Sequence, residues 1–74
     1  MSKFKVILDT QSAIGEFVHL ANTIEGNVHL EDGTGFKVDA KSLMGVMYGT
    51  SEFKDLYVIS DNDSIGTKFL KFIV

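Results

Sequence analysis

Seventy-four residues allow one domain with a thin core, so the chain reads as a single domain over residues 1–74. The apolar fraction of 45% is too high for a disordered chain, and the lack of cysteine excludes disulfide staples and cysteine-based zinc sites. The net charge of −3 is dispersed, and all seven basic residues are lysine, which argues against a nucleic-acid partner and against a strong built-in phosphate site.

Lys3 to Asp9 alternates, with Phe4, Val6 and Leu8 on one face and Lys5, Ile7 and Asp9 on the other, and reads as a strand. An acid follows its short apolar run at once, so this start is not expected to be a signal peptide. From Thr10 the period changes: Ile14, Phe17, Val18, Ala21 and Ile24 recur at three and four, the stripe of an amphipathic helix. Thr10 or Ser12 can cap it, and Gly26 stands where a glycine stop belongs.

Asn27 to Glu31 alternates again with Val28 and Leu30 inward, and Asp32-Gly33-Thr34-Gly35 reads as a hairpin turn into a strand at Phe36 to Asp39. Ser42 then precedes a short Met-rich apolar run expected to be a helix ending around Tyr48-Gly49. Leu56-Tyr57-Val58-Ile59 reads as a strand buried on both faces. Asp61-Asn62-Asp63-Ser64 supplies capping residues for a last helix with Ile65, Phe69, Phe72 and Ile73 inward. The order β-α-β-β-α-β-α predicts an α+β two-layer sandwich with all helices on one face of a four-stranded sheet. No apolar run is long enough to span a membrane, and a cytoplasmic protein is the expectation. The tripeptide Val-His-Leu occurs at residues 18–20 and 28–30, but one copy lies in a 3.6-residue period and the other in a period of two.

Lys41-Ser42-Leu43-Met44-Gly45-Val46-Met47 resembles, with one conservative change, the Lys-Ser-Ile-Met-Gly-Val-Met segment of HPr, the phosphocarrier of the bacterial sugar phosphotransferase system. Gly26-Asn27-Val28-His29-Leu30 with its glycine hairpin is similar to the family's second and third strands, and Phe4-Lys5-Val6 to its first. Most of the chain is covered, and the Ser42 segment is the specific part. The resemblance implies an open-faced sandwich whose antiparallel sheet has the order 1-4-2-3. It further implies Ser42 as a regulatory phosphorylation site for an HPr kinase. The helix that follows would dock on enzyme I or a transcriptional regulator, with Leu43, Met44 and Met47 binding the partner and Val46 in the core.

The chain also departs from the family. The loop that holds the phosphohistidine reads Gly-x-His-Ala-Arg-Pro there, and counting back from Val28 puts Thr10 in the His place and Gln11, Ser12 and Ala13 after it. The imidazole, the Arg fork and the helix-starting proline are therefore all missing, so no catalytic residue is assigned. A threonine ester would be a thermodynamic dead end for a phosphate that must be passed on. The helix after the serine is one residue short, and the last helix stops sooner, leaving apolar Phe72-Ile73-Val74 and inviting self-association.

The remaining residues read more plainly. Ser42 is a helix cap, a role compatible with phosphorylation because a phosphate there would meet the positive end of the helix dipole. His19 falls mid-helix on the polar side of the first helix, and His29 on the face opposite Val28 and Leu30, both expected to be exposed and neither forming a metal site. Asp61 and Asp63 read as caps, and Gly33-x-Gly35 leads into a strand and so cradles no phosphate. No cofactor is expected. The combined reading is a regulatory or protein-binding module without phosphotransfer. Its alternatives are a phosphocarrier using a non-standard residue such as His19, and a degenerate paralogue with a structural or oligomeric role.

Overall fold

A computed structural model describes all 74 residues. In chain order it holds β1 (Ser2–Lys5), α1 (Gln11–Asn22), β2 (Val28–Glu31), β3 (Lys37–Asp39), α2 (Leu43–Glu52), β4 (Tyr57–Ser60), α3 (Ile65–Lys68) and a 3-10 turn at Leu70–Phe72. The strands form one antiparallel sheet in the order β1-β4-β2-β3, the order that the resemblance implies. The fold is α+β, and no helix is long and apolar enough to cross a membrane.

Register follows from the alternation of side chains. Phe4, Val58, Leu30 and Val38 stand in one row across the four strands, on the face that carries the core. Slipping any strand by one residue would turn its apolar set to the other face, so burial of this row fixes the pairing. The helices complete the core with Phe17, Ala21, Val46 and Ile65, and Phe69 adds to it from the junction between α3 and the 3-10 turn. Phe17 packs against Phe69 at 4.6 Å and edge-on against Phe72 at 5.9 Å between ring centroids, joining the first helix to the C-terminal segment.

The opposite face carries the rows Lys3, Ile59, His29, Asp39 and Lys5, Tyr57, Glu31, Lys37. Glu31 is buried there and accepts a hydrogen bond from Lys3 Nζ at 2.8 Å, while the same ammonium lies 4.9 Å from the centre of the Tyr57 ring. Chiefly through the Glu31 hydrogen bond, the Lys3 pKa is raised above its usual value of 10.5.

Several elements differ from the sequence expectations. β1 ends at Lys5, although burial of Val6 and Leu8 continues the alternation. Beyond Lys5 the chain changes partners. Val6 N–H still donates to Leu56 O, but Ile7 N–H donates to Phe72 O and Val74 N–H donates to Lys5 O. The expected last helix therefore breaks into a single α-turn and a 3-10 turn, and Ile73 pairs with Val6 as an antiparallel bridge. An outer strand edge left open by a four-stranded sheet is a better partner for this tail than another helical turn. No side chain caps α3; Asn62 organises the turn before it, accepting from Ser64 N–H through Oδ1, and Asp63 accepts from the Ser2 hydroxyl.

α1 ends at Asn22, four residues before Gly26. Thr23 closes it, with both its N–H and its hydroxyl donating to Leu20 O, and Gly26 at φ +90° turns the chain toward β2 afterwards. α2 runs past Gly49 to Glu52. Gly49 is no terminator: a Cβ there would stand 3.0 Å from Leu30 Cδ2 and 3.1 Å from the Phe53 ring, so the glycine lets the helix lie close on the sheet. His29, expected to be exposed, is half-buried beside Ile59 on the sheet face opposite the helices.

Candidate protein-binding site on the second helix

The chain enters α2 through a turn that is closed at every step. Asp39 Oδ1 accepts from Lys41 N–H at 2.9 Å and Asp39 O accepts from Ser42 N–H at 3.1 Å. Ser42 then sits in extended conformation at the N-cap, and its hydroxyl accepts from Gly45 N–H at 3.1 Å. That bond satisfies one of the four backbone donors a helix leaves free at its start. Neighbouring contacts hold the turn against the end of α1. Lys41 Nζ donates to Ile24 O at 2.7 Å, and Asn22 Nδ2 donates to both Lys41 O and Val18 O.

Once started, α2 divides sharply into two faces. Val46 and Gly49 are buried against the sheet. Leu43, Met44, Met47 and Tyr48 are exposed, and their spacing of one, four and five residues puts them on one outward stripe. No residue from Leu43 to Ser51 carries a charge. Two further aromatic rings continue the stripe beyond Tyr48: Phe53 lies edge-on to Tyr48 at 6.2 Å and to Phe36 at 5.7 Å. At its near end Leu43 and Met47, with Gln11, Ile14 and Gly15 of α1, line an open groove of about 300 Å³. Exposed apolar side chains occurring singly are ordinary, whereas a contiguous set on one element marks a contact surface.

The other candidate residues lie elsewhere or do different work. Thr10 is the N-cap of α1, its Oγ1 accepting from Ala13 N–H at 3.0 Å, so its hydroxyl is committed to the backbone. His19 is exposed in the last turn of α1, where the sequence placed it mid-helix. Since α1 stops at Asn22, a phosphate on His19 would meet the negative end of the helix dipole. No group of three or more His, Cys, Asp or Glu side chains is placed to hold a metal ion. Neither a family model, nor a curated protein, nor a solved structure matches this chain in comparison.

Tyr48, Phe36 and Phe53 extend this surface beyond the residues that the sequence points to. Tyr48 carried a usable signal, standing four residues after Met44 on the same stripe. Phe36 and Phe53 carried none, because the hairpin and the end of α2 meet only in the folded molecule. Asn22 and Lys41 were likewise invisible as a clamp, since they lie 19 positions apart.

Proposed function

We propose that the chain is a regulatory or protein-binding module related to HPr of the phosphotransferase system, acting in the cytoplasm through the Ser42 helix and without phosphohistidine transfer. The observation that supports this is the division of α2 into a buried face and an outward, charge-free apolar face beside the α1 groove. Methionine suits such a face because its unbranched thioether adapts to differently shaped partners. The resemblance of residues 41–47 to HPr names the partner class: enzyme I, an HPr kinase or a transcriptional regulator of catabolite control. Ser42 is the regulatory position in this reading. A phosphate there would stand at the positive end of α2, whose first turn holds no acidic residue to repel it.

Titrating the isotopically labelled chain with each of the three partners tests the surface. Amide shifts confined to Leu43, Met44, Met47 and their neighbours are expected with at least one, and no shifts with any would overturn the reading. Incubation with enzyme I and labelled phosphoenolpyruvate should leave no acid-labile phosphate, and stoichiometric phosphohistidine would reinstate a phosphocarrier. ATP and HPr kinase should label the wild type and spare Ser42→Ala. Equal absence of label from both removes the regulatory part.

A further inference from the structure

The outward face of α2 has the properties of a surface that meets its own copy. We infer that the free chain forms a two-fold symmetric dimer in which α2 packs antiparallel against α2 of a second copy. Three observations carry this. The first is charge. The chain has a net charge of −3, and a contact through a predominantly acidic face would repel its own copy. From Leu43 to Ser51 there is nothing to repel, and equally nothing for a partner selected by charge to pair with.

The second is self-complementarity. α2 has no acidic residue in its first turn and no basic residue in its last, so side chains leave its dipole uncompensated at both ends. Antiparallel pairing sets the positive start of each helix beside the negative end of the other, with Glu52 of one copy toward the other's N-terminus. A two-fold axis through the middle of the helix satisfies both ends at once.

The third is area. Phe36, Leu43, Met44, Met47 and Tyr48 are 54%, 51%, 81%, 49% and 51% exposed. At about 200 Å² for a fully exposed side chain of this size, they offer on the order of 550 Å² per copy. Covered completely on both copies, these side chains would bury about 1,100 Å², at the lower edge of the size range of specific interfaces. Such a dimer covers the surface that any other protein would use on α2, so the two contacts exclude one another.

Sedimentation equilibrium of the purified chain over a wide concentration range tests the dimer directly. The wild type should show a reversible monomer–dimer equilibrium, and Met44→Lys should weaken it about tenfold or more. Leu70→Lys, which alters a comparably exposed apolar side chain of the C-terminal segment, should leave the equilibrium unchanged. Because the chain has no cysteine, a single introduced thiol gives a second reading. Met47→Cys, near the two-fold axis, should form a disulfide-linked dimer on mild oxidation, and Leu70→Cys should not. A wild type that stays monomeric at every concentration would overturn the inference. So would a dimer that Met44→Lys leaves intact, or one that Leu70→Lys weakens equally. No other protein enters these measurements, so their failure is separate from any failure of the partner-binding reading.

Discussion

The two long helices begin in the same way and end up doing different things. Each starts on a hydroxyl residue in extended conformation whose oxygen accepts from the backbone N–H three residues on, Thr10 from Ala13 and Ser42 from Gly45. α1 then sorts its residues as an amphipathic helix should, with Phe17 and Ala21 buried and Glu16 and His19 outside. α2 is apolar on both faces, and the fold can bury only one of them. A shared cap therefore says only where a helix starts. What the outward face is for depends on how much of the apolar surface the domain can cover.

Substitutions on the two helices should differ in size and in sign. Phe17→Ala should have the largest effect, costing about 3–5 kcal/mol, because it removes the ring that joins α1 to Phe69 and Phe72. Met44→Ala, on the outward face of α2, should stay within about 0.5 kcal/mol when both variants are melted in urea as dilute monomers. Glycine offers a second contrast of opposite sign. Gly15→Ala meets no atom within 4 Å and should stabilise α1 by roughly 0.5–1 kcal/mol. Gly49→Ala would press its methyl on buried Leu30, and overpacking should outweigh the better helix propensity, for a net loss of about 1 kcal/mol. If both variants are stabilised, the close approach of α2 to the sheet is not as described.

The caps come next. Thr10→Ala and Ser42→Ala should each lose about 1 kcal/mol, and Ser42→Asp should keep most of it, all read from denaturant midpoints at constant slope. A Ser42→Ala variant of unchanged stability would mean that the serine is held for something other than the cap. The smallest expected effect lies outside both helices. Asp32 accepts from the Thr34 N–H at 2.7 Å and hydroxyl at 2.8 Å, and these bonds, the backbone one first, hold its carboxyl below its ordinary value of 3.8. A depressed carboxylate adds stability above its unfolded value and loses it as the pH falls through the folded value. Stability of the wild type should thus drop more steeply below pH 3.8 than that of Asp32→Asn, as thermal melts across the acid range would show.

Much of this was legible in the residues themselves. Alternation at Phe4, Val6 and Leu8, the stripe of α1, the glycine hairpin and the hydroxyl cap at Ser42 are local signals, carried by neighbours a few positions apart. They determine the element order, the core side of each strand and the start of α2, and they narrow the start of α1 to Thr10 or Ser12. That Leu43, Met44 and Met47 would face outward came from the resemblance to HPr and not from these local signals. What they cannot carry is any choice that depends on a distant segment. Gly49 looked like a stop and is a point of close packing, because Leu30 approaches it only after β2 has joined the sheet. The last helix looked continuous and is cut short, because the backbone of Lys5 and Ile7 offers Phe72 and Val74 hydrogen bonds that a longer helix would forgo. The aromatic extension of the α2 stripe, and its groove with α1, likewise exist only once residues far apart in the chain have been brought together. Local periodicity set the inward face of each strand and of α1, because it needs only near neighbours; tertiary packing decided which apolar residues were left over for something else to cover.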